Sequence, residues 1–217
     1  SDALVFGLST RTGPQIYNNL EIASFLRAGY PCAPIIWGGI HPTLEVVQTI
    51  NNPLVDIVVK GEGEITLLEL VQLISSVGKY WRNNLKDIQG IVFKNDTAAI
   101  VNNPDRDFME LNDLPIFNFS DIKIDKYDIS VFPLDTSRGC PYKCGFCYNS
   151  SFNKSRWRSM DAEKVIDQIE LIINKFGANT FIFEEDEPFI NFNRIQKFCQ
   201  LVVEKGLKIH WESFARA

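Results

Sequence analysis

Residues 137–147 read Ser-Arg-Gly-Cys-Pro-Tyr-Lys-Cys-Gly-Phe-Cys, with thiols at Cys140, Cys144 and Cys147 in the spacing Cys-x-x-x-Cys-x-x-Cys. The apolar run Phe132–Thr136 ahead of them predicts a strand. Behind them Val165, Ile169, Ile172 and Phe176 share one helical face, opened by the capping pattern Ser159-Met160-Asp161-Ala162. Thr180–Phe183 predicts the next strand, residues 192–205 the next helix and Lys208–Phe214 a third strand. Strands alternating with helices make a parallel α/β layer, whose sites lie at the carboxyl ends of the strands. Three strands are too few to close an α/β barrel, so residues 132–217 predict the first part of one and the chain is expected to be a fragment.

Upstream the same alternation recurs. Ala3–Leu8, Pro34–Trp37 and Val55–Lys60 predict strands, and Ile16, Leu20 and Ala23 mark a first helix. The turn Gly-Gly-Ile-His-Pro-Thr (38–43) leads to a helix near Leu44–Ile50, and Gly61-Glu62-Gly63-Glu64 opens a helix whose apolar face carries Leu67, Leu70, Val71 and Ile74. Ile91–Lys94 and Ala99–Asn102 flank the polar turn Asn95-Asp96-Thr97 as a hairpin. Residues 103–132 lack periodicity and hold two prolines, which reads as a linker packed on the surface by its aromatics. The expected organisation is a partial Rossmann-like domain over 1–85, a hairpin and linker over 86–131, and the partial barrel over 132–217.

With 45% apolar and 23% charged residues the chain is neither disordered nor collagen-like. No apolar run is long enough to span a bilayer and no signal-peptide pattern opens the chain, so a cytoplasmic location is expected. The net charge of −5 is spread without like-charge blocks, which argues against a nucleic-acid partner held through phosphates. There is no internal repeat.

Five cysteines, three of them within eight residues, are not a disulfide framework. Clustered thiols in a reducing compartment read as ligands for soft metals. Three thiolates in one loop hold three irons of a cubane cluster and leave the fourth iron open. Zinc is the competing metal, but a structural zinc wants four protein ligands, and His41 and His210 lie 99 and 63 positions from the nearest loop cysteine. Cys32 and Cys199 stand alone, with Cys199 expected in the core on a stripe with Ile195, Phe198 and Val202.

The spacing Cys140-x-x-x-Cys144-x-x-Cys147, with Phe146 before the last thiol and a strand before the first, resembles the radical S-adenosylmethionine (SAM) superfamily. The resemblance implies a [4Fe–4S] cluster on the three cysteines, SAM chelated to the open iron, and reductive cleavage of SAM to a 5′-deoxyadenosyl radical. It also implies Phe146 beside the adenine, and it suggests that the amides of Gly139 and Gly145 donate to cluster sulfides. The family's Gly-Gly-Glu-type motif at the end of the second barrel strand has as its counterpart Phe-Glu-Glu-Asp-Glu-Pro (183–188). Both glycines are absent there. Glu187 matches the glutamate that holds the amino group of SAM, with Asp186 and Glu185 as neighbours; a solvated acidic turn is the other reading.

The first domain resembles the later part of the cobalamin-binding domain of cobalamin-dependent radical SAM enzymes, in particular the group around the anaerobic magnesium-protoporphyrin ester cyclases. Ser9-Thr10-Arg11 stands for that family's Ser-x-Leu/Thr motif, with Arg11 departing from the pattern, and 26 residues separate it from Gly38-Gly39. The resemblance implies that Ser9, Thr10, Gly38 and Gly39 line the nucleotide tail of cobalamin. His41 is a wall residue near the cofactor or a satisfied structural histidine. Gly61-Glu62-Gly63 matches the family too, and reads equally as a helix start. Arg-Trp-Arg-Ser-Met (156–160) is shared with the same group and reads as a brace for the cluster loop or a surface clasp. Arg216 ends the third strand where an anionic ligand would be met.

The function implied is a cobalamin-dependent radical SAM enzyme that transfers a methyl group to a small molecule, or cyclises or rearranges it. Its electron would come from a carrier such as flavodoxin or ferredoxin. Two other readings stand beside it: a non-catalytic iron–sulfur electron-transfer or cobalamin-binding module, and an inert fragment that exposes strand edges.

Overall fold

Ile35, Ile36 and Trp37 are consecutive and all buried. Successive strand residues face opposite sides of a sheet, so such a run requires cover on both faces. The computed structural model, which describes residues 3–117, 119, 122–127 and 131–216, shows this cover. Ile35 and Trp37 pack with Val58, Val92, Ala23 and Ile50 on one face, while Ile36 joins Ile57, Val59, Ile91 and Phe93 against Leu70, Ile74, Trp81 and Leu85 on the other.

The sheet runs in the order β1 (Phe6–Ser9), β2 (Ile35–Gly38), β3 (Ile57–Val59), β4 (Ile91–Lys94), β5 (Ile100–Asn102). The first three strands are parallel and the last two antiparallel. Helix α1 (Pro14–Gly29) joins β1 to β2 and α4 (Glu64–Val77) follows β3. The expected helix near 44–50 is two short ones, α2 (Ile40–Leu44) and α3 (Val46–Asn51), because the backbone at Glu45 (φ −115°, ψ 50°) leaves the helical region. On α4 the buried side chains are Thr66, Leu70 and Ile74 while Leu67 is exposed, so the covered face is rotated from the expected one. The hairpin is not a separate element: Val58 pairs with Val92 and Phe93 with Val101, which extends the parallel sheet. A compact unit therefore runs to Phe108.

The second unit, from Met109, holds β6 (Phe132–Leu134), β9 (Thr180–Phe183) and β10 (His210–Ser213), all parallel, in the order β10-β9-β6. Helices α6 (Ala162–Phe176) and α7 (Phe192–Glu204) make the crossovers. Val165, Ile166, Ile169 and Ile172 of α6 meet Phe181, Phe183 and Phe198 in one core. Asp161 occupies the N-cap of α6 but makes no side-chain cap; its backbone N–H donates instead to Asn112 Oδ1 at 2.9 Å. Gly177 ends the helix in the left-handed conformation.

Leu111 is fully buried in this core and Phe119 packs edge-on against Phe132 and Phe176, so aromatic and aliphatic anchors of the linker belong to the second unit. Part of the linker reading, at residues 118, 120–121 and 128–130, falls outside the described residues. Cys199 is exposed, contrary to expectation. The covered stripe of α7 centres on Phe198, with Arg194 and Leu201 on one side and Ile195 and Val202 on the other. At 100° per residue that stripe leaves Cys199 on the flank. No helix among the described residues is long and apolar enough to cross a membrane.

Candidate functional site

The cysteine loop is clasped at its base. Two short strands, β7 (Ser137–Arg138) and β8 (Arg158–Ser159), pair antiparallel, so residues 139–157 form a closed excursion from the carboxyl end of β6. Arg158 and Ser159 of the Arg-Trp-Arg-Ser-Met segment supply one of the two paired strands. Within the excursion the Cys147 N–H donates to the Cys144 carbonyl at 3.0 Å, and α5 (Asn149–Phe152) follows at once. Gly139 has φ +86°, and a Cβ there would lie 2.0 Å from the Arg156 carbonyl oxygen. Only glycine fits that approach. Gly145 has no such neighbour: a Cβ would meet nothing within 4 Å. Lys154 and Ser155 both take positive φ (51° and 55°), which turns the chain so that Arg156 reaches Gly139.

Cys140, Cys144 and Cys147 are free and partly exposed. Among the described residues no three His, Cys, Asp or Glu side chains gather around a single ion. A cubane puts each thiolate on a different iron, so its ligands spread wider than the four of one zinc ion, and the donor set fits the cluster better. Asn149, two residues past Cys147, is buried; its Oδ1 accepts from Asn153 at 2.7 Å, and its Nδ2 has no acceptor among the described residues.

The four acids after β9 divide in alternation. Glu184 and Asp186 are exposed, while Glu185 and Glu187 are buried at 6% and 5% exposure, so the segment is no uniformly solvated turn. Glu187 Oε1 accepts from the Phe189 N–H at 3.3 Å and Oε2 from the Arg216 N–H at 3.1 Å. Its main-chain carbonyl accepts from the Trp157 indole at 2.8 Å. With Pro141, Tyr142, Phe189, Ile190 and Arg216 it lines a cavity of about 450 Å³. Asp186 accepts from the Tyr148 hydroxyl at 3.1 Å. Phe146 is 95% exposed.

Glu185 serves the frame. It accepts from the Thr136 N–H at 3.0 Å and from the hydroxyls of Thr136 and Ser137. Arg194 donates to the Thr136 and Met160 carbonyls at 2.9 and 2.6 Å. Burial pushes the Glu185 carboxyl above its ordinary range, with the hydroxyl donors and the Arg194 charge opposing the shift. Burial likewise lowers Arg194, and Glu185 opposes this. Sequence reasoning missed this network. Its one signal was an arginine on the covered face of α7, one turn before Phe198.

In the first unit the two motifs meet edge to edge. Ser9 pairs with Gly38, the Thr10 N–H donates to the Gly38 carbonyl at 2.8 Å, and the His41 N–H donates to the Thr10 carbonyl at 3.0 Å. Gly39, at φ +94°, passes so close that a Cβ would stand 3.1 Å from Ser9 Oγ and from Thr10 N and O. Thr43 ties in the third loop, donating to the Gly39 carbonyl at 2.7 Å and accepting from the Gly61 N–H at 2.9 Å. The Thr10 hydroxyl is fully buried and accepts from Asn19 at 2.8 Å. His41 is buried, with Nδ1 3.2 Å from the Thr12 hydroxyl. Glu62 and Gly63 continue the third loop into α4, with Gly63 at its N-cap. Asn19, Thr12 and Thr43 carried no recognisable sequence signal.

Comparison with known proteins agrees with this layout. Residues 134–216 match the family model described as the radical SAM superfamily. The chain is 29% identical over 212 residues to an uncharacterized methyltransferase of Pyrococcus horikoshii, covering 95% of this chain and 45% of that protein. It is 30% identical over 211 residues to the anaerobic magnesium-protoporphyrin IX monomethyl ester cyclase of Cereibacter sphaeroides, covering 94% of this chain and 34% of the cyclase. A solved structure of the cobalamin-dependent SAM radical enzyme OxsB, with aqua-cobalamin and SAM bound, superposes with a TM-score of 0.76 at 21% identity, covering 95% of this chain and 30% of that one. At that identity the likeness is one of fold. The chain thus spans less than half the length of these relatives. The cysteine loop, the α/β frame around it and the family model matched over residues 134–216 make this second region of the chain one of the radical SAM superfamily.

Proposed function

We propose that this chain is the cofactor-binding part of a cobalamin-dependent radical SAM enzyme acting on a small molecule, by methyl transfer or by cyclisation or rearrangement. The observation that carries the reading is that Pro141 and Tyr142 of the cysteine loop and the buried Glu187 line one cavity beyond the carboxyl ends of parallel strands. In this reading Cys140, Cys144 and Cys147 hold a [4Fe–4S] cluster, Glu187 receives the SAM amino group, and the exposed ring of Phe146 is free to lie against the adenine. The cluster, when bound, supplies the electron that cleaves SAM to a 5′-deoxyadenosyl radical, drawn from a low-potential carrier of the flavodoxin or ferredoxin kind.

The carboxyl edge of the first sheet is the cobalamin side. Ser9, Gly38, Gly39, Gly61, Glu62 and Gly63 bring backbone to that edge, and glycine lets a bulky cofactor approach closely. Thr10 and His41 stand at the same edge, the Thr10 hydroxyl accepting from Asn19 and His41 Nδ1 lying beside the Thr12 hydroxyl.

The test is electron paramagnetic resonance of the anaerobically reconstituted, reduced protein from the complete reading frame, with and without SAM. A cubane signal that shifts on adding SAM and is lost in Cys144→Ala supports the enzyme reading. A cubane signal indifferent to SAM makes the cluster an electron carrier and removes the role of Glu187.

A further inference from the structure

We propose that Arg216 tunes the reduction potential of the cluster through Cys144, an inference that rests on the cluster reading above. Three contacts fix the residue. Its main-chain N–H donates to Glu187 Oε2 at 3.1 Å, which sets where the side chain departs. Its guanidinium carbon stands 4.2 Å from the centroid of the Tyr142 ring, midway between Cys140 and Cys144 in the loop. Its Nη1 then reaches Cys144 Sγ at 3.7 Å, within range of an N–H···S bond.

The chemistry follows from constant charge. A guanidinium stays protonated at any working pH, and its planar fork stacks on an aromatic face while leaving edge N–H groups free to donate. Reducing the cluster adds one electron from a low-potential one-electron carrier, such as a ferredoxin or flavodoxin; no bond forms or breaks and no proton moves. The reduced state carries one more negative charge, so a cation donating to a ligand sulfur favours it and raises the potential. Arg216 is exposed, so water screens part of this effect. Arg216 is a positioning residue here, acting on the cluster through Cys144 without ligating it.

The experiment is potentiometric titration of the reconstituted full-length protein without SAM, followed by electron paramagnetic resonance, with iron and sulfide content and SAM affinity measured on each variant. Arg216→Gln is expected to move the midpoint to more negative potential and Arg216→Lys to move it less. Tyr142→Phe keeps the aromatic face and leaves the midpoint unchanged, whereas Tyr142→Leu frees the guanidinium and gives a partial negative shift. If Arg216→Gln does not retain a cluster, Arg216→Lys and Tyr142→Leu carry the comparison. An unchanged midpoint at wild-type cluster content overturns the proposal. If SAM affinity falls while the midpoint holds, the guanidinium serves the ligand and tuning is again overturned. A wild-type protein that assembles no cluster refutes the proposed function itself, which is a different result.

Discussion

The indole N–H of Trp157 donates to the main-chain carbonyl of Glu187 across 30 positions of sequence, at 2.8 Å. The residue before it, Arg156, presents its carbonyl to Gly139 at the start of the cysteine loop. One dipeptide thus links the thiol loop to the carboxylate that faces the same cavity.

Replacing Trp157 by Phe keeps the apolar bulk and deletes the donor. The loss is expected to cost about 1 kcal/mol of stability, the usual net worth of such a bond, measured by denaturant unfolding. SAM affinity should fall while cluster content holds. Unchanged affinity would show that Glu187 does not need this brace.

Gly139→Ala and Gly145→Ala make a matched pair. At Gly139 the new methyl meets backbone and the positive φ must be kept, so the excursion has to deform, at a cost of several kcal/mol or with loss of the clasp. At Gly145 nothing lies within 4 Å and the substitution should be within about 0.5 kcal/mol of neutral. Iron content after reconstitution and thermal unfolding report both.

Thr43→Val tests the link between the second and third loops of the first unit. It removes a donor to Gly39 and an acceptor from Gly61 while keeping the side-chain shape. A destabilisation of about 1–3 kcal/mol is expected, since the part-buried Gly61 N–H loses its acceptor while the Gly39 carbonyl keeps only the Thr43 main-chain N–H. Cobalamin affinity, followed by the absorption spectrum, should weaken. Tight binding in the variant would separate this edge from the cofactor.

Glu185 predicts a pH dependence of stability. Its folded carboxyl titrates above the ordinary range, so between the unfolded value and the raised folded value the folded state holds the proton more tightly than the unfolded chain does. The stabilisation is complete below the unfolded value and is lost as pH rises through the folded one. Denaturant midpoints should therefore decline over that window in the wild type. Glu185→Gln should flatten the decline; an equal slope in the variant would assign it to another group.

Periodicity alone reached most elements of the frame. Thr180–Phe183 matches β9 and Ile91–Lys94 matches β4 residue for residue, because short β-rich runs bounded by turn residues have few other options. It failed where the covered face depends on a neighbour. Leu67 and Cys199 sit on apolar stripes by sequence, yet α4 and α7 turn Thr66 and Arg194 inward instead, to meet the Gln89 carbonyl and the Thr136 carbonyl. Pairing behaved likewise: nothing local distinguishes a hairpin standing with a linker from one whose first strand joins β3.

The three thiols and their spacing, the acidic run after a strand and the glycine pairs are written in the residues themselves, since covalent spacing decides which ligands share a loop. Which acid faces the cavity, and that Arg216 stacks on Tyr142 beside Cys144, arise from the folding of distant segments onto one sheet edge. A hydrogen bond between positions 157 and 187, or a guanidinium meeting a ring 74 residues away, leaves no mark on local periodicity. Burial also raises the Glu185 carboxyl above its ordinary range, because desolvation depends on what surrounds a group in space and not on its neighbours along the chain.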